Sequence, residues 1–444
     1  AIAALARASK LGVHGEFTSE QYLAAAKKGF EHLQGKQSIG GNCEYCDDNK
    51  ENIIDDYTAL LAATELYIAT EKVDYLKDAR ARAKNLINRL SDDGYFWSDD
   101  AKTRPFWHAS DAGLPLVALV RYAEVESKIT MNSPSELIDW YCVDMIGASC
   151  YNYNAKDALD AIKAHLEWLV KVTNETENPF GYARQTYKTQ NAIKNGFFIP
   201  HDNESNYWWQ GESARIASLA AASVTAARML VNRGFTDSAS VYKYATDQFD
   251  WILGKNPYST CMMYKKGLKN PKVYDGQSDY DKTLEGGIAN GITGKNKDGS
   301  GIAWDDDGVG AVGFDAMMES WQNWRWIEQW LPHSTWYLMA LVARYDENPV
   351  VIEAPEQPEG IAKTRVLANA FDVSVSGLNL MVSLPTDSRG KVSAQTVRVL
   401  DLSGAQVVSV PVSGNRVNVR LPQGVNGVYM VQVPGLGARK IVVR

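Results

Sequence analysis

The chain has 444 residues, enough for two domains and a large core. Its 46 Lys and Arg against 53 Asp and Glu leave a net charge of −7, which argues against nucleic acid or an anionic membrane as partner. Its five Cys are too few for a disulfide scaffold. No apolar run approaches the length of a membrane-spanning helix, and the opening "AIAALARASK" has neither an initiator Met nor a signal peptide, so we expect a processed or truncated chain.

Helical periodicity is clear up to about Asp346 and then disappears. The first long helix opens with Ser19 and Glu20, which are residues typical of a helix start. Nine helices are predicted, and some are joined by long loops of the kind that carry function. The predicted helices cover residues 1–9, 19–33, 53–70, 75–90, 111–127, 155–173, 208–231, 237–254 and 334–345.

A linker and a β domain are predicted after the helices. Residues 349–370 are rich in Pro and Glu, which is typical of a linker. From 371 to 444, short stretches such as "NRVNVRL" and "GVYMVQV" alternate at period two between Gly-containing turns. The predicted organisation is a helical domain at 1–348, a linker at 349–370 and a small β-sandwich at 371–444.

One carboxylate, Glu328, stands among four Trp in "WRWIEQWLPHSTW". The chain has 13 Trp and 22 Tyr, and flat rings beside carboxylates suit the apolar faces of pyranose sugars, although core packing is the alternative for any single Trp. Surrounding rings also raise the pKa of a carboxyl group, which suits a proton donor. Glycoside hydrolysis needs one neutral carboxyl to protonate the leaving oxygen and one ionised carboxylate to activate water. Glu328 is therefore the candidate acid.

Two further clusters combine rings, His and carboxylates. "HDNESNYWWQGES" carries His201, Tyr207, Trp208, Trp209 and Glu212 ahead of a helix start, and "WHASDAG" carries His108 and Asp111 ahead of another. Helix capping explains part of either cluster, and for Asp111 a cap and a site remain equal alternatives. The residues predicted to bind substrate are His108, Asp111, His201, Tyr207, Trp208, Trp209, Glu212, Trp324 and His333.

The segment "YATDQFDWILGKNPYSTCMMY" resembles the helix and ILG-x-NP turn of glycoside hydrolase family 9, the inverting cellulase family. "EQWLPHSTWYLMAL" is similar to that family's terminal helix, in a register that places Glu328 on the proton donor. Earlier segments such as "EQYLAAAKKGFEHL" resemble its middle helices, so the resemblance covers roughly residues 1–346. It implies a mainly α fold, an (α/α)6 barrel incomplete at its N-terminus, and inverting cleavage of β-1,4-glucan or a related plant polysaccharide.

The chain departs from the family's pattern in three places. Ser334 stands where the family commonly has Asn, and the loop after ILG-x-NP differs. The family's catalytic base lies in a motif like W-x-D-A-G-D near the start of its domain, whereas the similar "WHASDAGLP" at Trp107 follows helices that resemble the middle of the fold. We therefore expect the base to come from an upstream segment or a companion chain. A non-catalytic carbohydrate-binding or surface-scaffold protein is the alternative function.

The C-terminal strands resemble the sorting domains that end type IX secretion substrates, which implies a secreted or cell-surface protein on the bacterial outer surface. A plain β-sandwich or a carbohydrate-binding module is the alternative, although Tyr429 is the lone Tyr there. In an exported protein Cys43 and Cys46 can pair as a disulfide, while a metal site would need two more ligands. No cofactor is predicted. A calcium loop at Asn296–Asp305 is a weak alternative to a solvated turn, because Gly294 occupies the first ligand position.

Overall fold

A computed structural model describes two compact units, Ala1–Pro349 and Val350–Arg444. The described residues are 1–34, 43–44, 46, 49–130, 132–139, 141–142, 150–189, 192–198, 201–203, 206–208, 210–231, 235, 237–274, 283–294, 301–304, 324–344, 371–386, 396–401, 406–434 and 436–443.

The first unit is helical, and all nine predicted helices are present. Their bounds, with one extra short helix before the last, are α1 (Ile2–Lys10), α2 (Ser19–Gln34), α3 (Ile53–Thr70), α4 (Val73–Asn88), α5 (Leu114–Glu126), α6 (Tyr153–Asn174), α7 (Glu212–Val231), α8 (Ser238–Ile252), α9 (Trp324–Ile327) and α10 (Leu331–Arg344). Local chemistry sets some of the starts: Asn52 caps α3 in a capping box with Asp55, and Asn152 caps α6.

The helices form two layers. In the inner row α1 packs on α3, α3 on α5, α5 on α7, and α7 on α10. Helices α2, α4, α6 and α8 pack on the outside of this row. The middle helices α5 and α7 are buried on almost every face, whereas α1 and α10 at the two ends of the row are much more exposed. The row is therefore best covered around α5 and α7.

Helix α7 is long and apolar enough, by length and composition, to cross a membrane. Its small Ala and Ser side chains instead let neighbouring helices approach closely, and 78 % of its apolar window is buried inside the unit. This corrects the sequence prediction that no apolar run reaches that length. In this structure α7 is a core helix.

Two helix starts differ from the prediction. Helix α5 begins at Leu114 rather than Asp111, and its N-cap residue is Gly113, so Asp111 does not cap it. The reason is tertiary: the Gly113 N–H donates to Ser218 Oγ of α7 at 3.0 Å, and a Cβ atom at Gly113 would collide with the Ser218 backbone. Helix α7 begins at Glu212 rather than 208, because Gly211 adopts a positive φ of 96°, which is outside the helical region.

In the described part of the helical unit there are also four short antiparallel strand pairs. They are β1 (Tyr141–Cys142) with β2 (Cys150–Tyr151), β3 (Gln185–Thr189) with β4 (Ala192–Gly196), β5 (His201–Asn203) with β6 (Asn206–Trp208), and β7 (Thr293–Gly294) with β8 (Ile302–Ala303). The β5 strand lies beside β3, so these two hairpins are neighbours.

Among its described residues, the second unit contains seven antiparallel strands in two sheets. They are β9 (Asp372–Ser376), β10 (Asn379–Ser383), β11 (Thr396–Leu400), β12 (Gln406–Pro411), β13 (Arg416–Arg420), β14 (Gly427–Val433) and β15 (Gly437–Val443). One sheet has the order β13-β10-β9 and the other β12-β11-β14-β15. Alternate side chains of both sheets, such as Val382 and Val399, share one apolar core, which is the packing of a small sandwich.

Candidate active site

The starts of α5, α7 and α10 meet at one end of the helical unit. A Cβ atom at Gly211, just before α7, would lie 2.7 Å from the carbonyl oxygen of Ala109, just before α5. From α10, Trp336 Nε1–H donates to Asp111 Oδ1 at 3.1 Å. Asn290 joins the start of α7 to the segment before α10, because it accepts from the Gly211 N–H and donates to the Trp324 carbonyl. These three segments therefore form one continuous region, which contains most of the predicted site residues.

Glu328 lies in this region, directly after the single turn of α9, and is half-buried. Trp330 Nε1–H donates to Glu328 Oε2 at 2.6 Å. The Trp330 ring in turn stacks on His333, with 5.4 Å between ring centroids and 6° between the planes. The carboxyl group of Glu328 is thus oriented by a ring that α10 itself holds in place. Trp324, also half-buried, opens α9 on the other side.

His333 is fully buried beneath this pair. Its Nδ1 lies 3.0 Å from the carbonyl oxygen of Ile288 and 3.1 Å from the amide nitrogen of Trp330. Burial lowers the pKa of His333 to about 4, against a smaller opposing effect of the Ile288 carbonyl, so the ring is neutral at neutral pH. In this structure His333 supports Trp330 from below and presents no surface to a sugar, contrary to the expected direct contact.

Glu212, the first residue of α7, is also buried. Its carboxylate accepts hydrogen bonds from Arg215 Nε at 3.0 Å and from the Tyr182 hydroxyl. Arg215, fully buried, also donates to Gln185 Oε1 at 2.9 Å. Burial, and then the Glu212 carboxylate, raise the pKa of Tyr182 well above its usual value. Glu212 is therefore part of a buried ionic network. In this structure its side chain is not accessible for the direct sugar contact that was expected.

His108 and Asp111 remain partly accessible, with 29 % and 33 % of their side chains exposed. His108 Nδ1 accepts from the backbone N–H of Asp111 at 3.0 Å and of Ser110 at 3.2 Å, so the neutral ring carries its proton on Nε2. The two side chains approach to 3.9 Å. Together with the indole bond from Trp336, these contacts orient both groups at the edge of the region that holds Glu328.

The β5–β6 hairpin is linked to the His108 loop through β3. Tyr187 of the neighbouring β3 packs against Trp107 and Ala109, on either side of His108. The register of the hairpin pairs His201 with Trp208, Asp202 with Tyr207 and Asn203 with Asn206. The backbone of β5 therefore lies beside β3, the strand whose Tyr187 contacts the His108 loop. Trp209 lies outside the described residues, so its expected role stays a prediction.

Sequence reasoning missed the residues that hold the Glu328 segment in place. Gln329 Oε1 accepts from the Leu284 N–H at 2.7 Å, and Gln329 Nε2 donates to the carbonyl oxygens of Leu284 and Gly287 at 3.0 and 3.1 Å. Asn290 makes further bonds to the same segment. The sequence signal for these contacts is "EGGIANG", in which a polar Asn stands inside a Gly-rich turn. Such a turn has no helical periodicity, so the pattern that predicts the helices does not detect it.

Cys43 and Cys46 form a disulfide with an S–S distance of 2.06 Å. Their sulfur atoms and a carboxylate oxygen of Asp55 lie within 4.8 Å of one another, the one such group found among the described residues. Because a disulfide offers no thiolate, these residues do not fit a metal ion in this oxidised state. The four candidate ligands of the calcium loop, Asn296, Asp298, Ser300 and Asp305, lie outside the described residues.

Comparison with solved structures finds family 9 enzymes at low similarity. The cellulase Cel9M of C. cellulolyticum is 16 % identical, with a TM-score of 0.40, over 73 % of this chain and 57 % of that one. Endoglucanase CelQ from Clostridium thermocellum, complexed with cellotriose, is 16 % identical, with a TM-score of 0.44, over 90 % of this chain and 57 % of that one. A metagenome-derived family 9 endoglucanase is 13 % identical, with a TM-score of 0.45, over 77 % and 51 %. The chain thus spans little more than half the length of these structures.

No curated protein matches the chain. The family is therefore assigned from a match to a family model. The model of "Glycosyl hydrolase family 9" matches residues 1–291, which is more than half of the sequence. The match includes the His108, Asp111 and Glu212 region and ends before Glu328. The chain belongs to glycosyl hydrolase family 9.

Proposed function

We propose that the protein cleaves β-1,4-glucan, or a related plant polysaccharide, with inversion, and that Glu328 is its proton donor. The observation that carries this is the geometry of Glu328. Its half-buried carboxyl group is fixed by the Trp330 indole at 2.6 Å, in the region where α5, α7 and α10 begin. The substrate class follows from the family, whose inverting cellulases the sequence resembles.

The reaction needs two carboxyl groups with opposite tasks. Protonated Glu328 gives its proton to the glycosidic oxygen as the bond to the anomeric carbon breaks. A water molecule attacks that carbon from the opposite face, and a carboxylate base takes its proton. Because an inverting enzyme needs its two carboxyl groups roughly 6.5 to 9.5 Å apart to admit the water, the base must face Glu328 across the sugar.

We assign the base to a further segment rather than to Asp111. The Asp111 carboxylate already accepts the Trp336 indole N–H, and its side chain lies beside His108, which suits a hydroxyl-binding pair at the pocket wall. His201, Tyr207, Trp208, Trp209 and Trp324 would complete that wall, with rings for the faces of neighbouring sugars. Asp111 as base is the competing assignment.

The proposed acid is tested by replacing Glu328 with Gln, which keeps the shape and removes the donated proton. In a preparation that contains the whole site, we expect turnover of soluble β-glucan to fall at least about a hundredfold, the scale of general acid catalysis, with little change in stability. Glu167→Gln is a matched control, because Glu167 is exposed on α6 and pairs only weakly with Lys163. Near-normal turnover by Glu328→Gln would end the assignment.

Two readouts separate the remaining alternatives. Proton NMR of the first product shows whether the new reducing end is the α-anomer, as inversion of a β-glucan requires; a β-anomer contradicts it. Asp111→Asn should weaken substrate binding more than turnover, whereas abolished turnover at unchanged binding would make Asp111 the base. Binding of β-glucan without hydrolysis by the native protein would favour the scaffold function instead.

We also propose that a further helical segment, from the same polypeptide or a companion chain, closes the barrel and brings an Asp toward Glu328. The support is the outer face of α10, where Leu331 is 77 % exposed and Leu338 and Val342 are each 61 % exposed. An apolar groove of about 450 Å³ between α1, α2 and α3 marks the other end of the helical row. A helix is rarely apolar on a face left to water, so both surfaces suit a helical cover.

Cross-linking mass spectrometry of the native protein tests whether a further helical segment covers these two surfaces. We expect peptides from a segment or chain other than these 444 residues, cross-linked to α10 or to the α1–α3 groove. A particle of this chain alone that hydrolyses β-glucan, with Asp111 essential, would contradict it.

The β unit is proposed to be a sorting domain, and the protein to be exported to the bacterial outer surface. Residues 371–444 contain no Trp and only one Tyr, Tyr429, so they lack the aromatic row of a typical sugar-binding face. The Tyr429 hydroxyl donates locally, to the carbonyl oxygen of Asn426 at 3.1 Å. The Cys43–Cys46 disulfide also suits an oxidising compartment.

A further inference from the structure

Residues 284–291 run beside the segment that carries Glu328. The backbone N–H of Asn290 donates to the carbonyl oxygen of Glu328 at 2.9 Å, and that of Gly291 donates to Trp326 at 2.8 Å. Ala289 and Gln329 form an isolated antiparallel bridge. The backbone on both sides of the Glu328 side chain is therefore paired to one strand-like stretch.

Asn290 connects this pairing to α7. Its side chain is fully buried; Nδ2 donates to the carbonyl oxygen of Trp324 at 2.6 Å, and Oδ1 accepts from the N–H of Gly211 at 3.0 Å. Its backbone carbonyl accepts from the N–H of Ser213 at 2.9 Å. One residue thus joins the start of α9, the carbonyl of Glu328 and the first turn of α7.

We propose that Asn290 is the positioning residue of the proton donor, an inference that rests on the role proposed above for Glu328. A single helical turn such as α9 does not fix its own position, because it contains hardly any internal hydrogen bond. The start of α7 is buried and rigid, and the hydrogen bonds of Asn290 fix α9 relative to it. A shift of the acid by about 1 Å can cost about a hundredfold in rate, so a clamp at this point acts on turnover.

The chemistry of an amide is what this position requires. The Asn290 side chain faces a donor, the Gly211 N–H, and an acceptor, the Trp324 carbonyl, and its carboxamide satisfies both without a charge. Asn290→Asp keeps the size and the bond from Gly211 but places an oxygen against the Trp324 carbonyl, which repels it. This substitution should release α9 while leaving the core volume unchanged.

The control is Asn256→Asp. Asn256 is equally buried, and Nδ2 donates to the carbonyl oxygens of Trp251 and Thr260, each at 2.8 Å, while Oδ1 accepts from amides of the same turn. Its side-chain bonds lie within residues 251–260, away from the Glu328 segment. Asn256→Asp therefore introduces the same buried carboxylate with a similar loss of stability, and we expect turnover per folded molecule to be retained.

The test uses the native protein and two substrates, a cello-oligosaccharide and an aryl cellobioside whose dinitrophenolate leaves without a proton. For Asn290→Asp we expect kcat on the cello-oligosaccharide to fall about tenfold to a hundredfold with KM changed less than about twofold, and kcat on the aryl glycoside to fall less than about threefold. Hydrogen–deuterium exchange of residues 324–330 should become faster. Asn256→Asp should leave both the substrate ratio and that exchange as in the wild type.

Equal losses on the two substrates, or turnover like the wild type, would overturn the positioning role. Exchange of residues 324–330 that stays unchanged would overturn the clamp itself, whatever the activity. Glu328→Gln in the same assays tests the acid role separately. If this variant turns over the cello-oligosaccharide normally, the assignment of Glu328 as acid is wrong. Hydrogen–deuterium exchange of residues 324–330 in Asn290→Asp still decides whether Asn290 holds the segment.

Discussion

Replacing Glu212 with Ala should destabilise the helical unit rather than simply weaken substrate binding. The substitution leaves Arg215, which is fully buried, without its carboxylate partner and removes the acceptor of the Tyr182 hydroxyl. Breaking a buried ion pair by removing one partner costs about 3 to 5 kcal/mol. For a unit of this size, about 2 °C in Tm corresponds to each kcal/mol, so we expect Tm to fall by about 6 to 10 °C.

A double variant shows whether the loss comes from the uncompensated charge. Glu212→Leu with Arg215→Met replaces the pair by apolar side chains, an exchange that is often neutral when the volume is kept. Recovery should be incomplete, because Gln185 and the Ala183 carbonyl lose their Arg215 donor. We expect a coupling free energy of about 2 to 3 kcal/mol between the two sites.

Urea unfolding followed by far-UV circular dichroism, with KM measured on the same preparations, decides the matter. The control is Glu167→Ala, an exposed carboxylate on α6, which should change the free energy of unfolding by less than about 0.5 kcal/mol. If Glu212→Ala unfolds like the wild type and its main effect is a higher KM, Glu212 contacts the sugar and the buried-network reasoning is refuted.

The other predictions concern pH and the domain boundary. Burial lowers the pKa of His165 and of His333 to about 4, whereas in the unfolded chain each has a pKa near 6.5. Below about pH 6.5 the unfolded state therefore binds protons at these two residues and the folded state does not. Stability should therefore fall by about 3 kcal/mol per His between about pH 6.5 and 4, and urea unfolding of His165→Phe should show about half that dependence; an unchanged slope would contradict it. Deleting residues 371–444 should leave the helical unit melting cooperatively, because it has its own core, while export or surface attachment fails. A broadened melt would place the boundary elsewhere, and unaltered export would discard the sorting role.

Helix positions were readable from the sequence because burial on one face repeats at the helical period. All nine predicted helices are present, α3 matches to the residue, and the four-residue α9 is the additional helix that was not predicted. The starts at Asp111 and Trp208 were misplaced because contacts between distant residues set them: α5 starts where Gly113 touches Ser218, and α7 where Gly211 touches Ala109. Local propensity contains no information about such contacts.

The site was harder to predict than the fold. Glu212 and His333 looked like substrate ligands because a carboxylate or imidazole among rings has the same sequence pattern whether it lies at a surface or in a core. Their burial depends on partners from other elements, such as Tyr182 for Glu212. The Gly-rich stretch "EGGIANG" marks Asn290 as unusual but does not give its role, because its side-chain partners, Trp324 and Gly211, are 34 and 79 positions away.

The first turn of α7 gives these separate observations one physical cause. Glu212 anchors it to the core through Arg215, while the neighbouring N–H groups of Gly211 and Ser213 hold Asn290, and through it the Glu328 segment. A carboxylate at the start of α7 also stabilises the positive end of the helix dipole, so the same charge supports both the ion pair and the helix end. The proposed proton donor, Glu328, is therefore held in place by the most deeply buried helix of the unit rather than by its own short turn. Loss of Glu212 should then affect turnover indirectly, as a fall in kcat that follows the loss of stability.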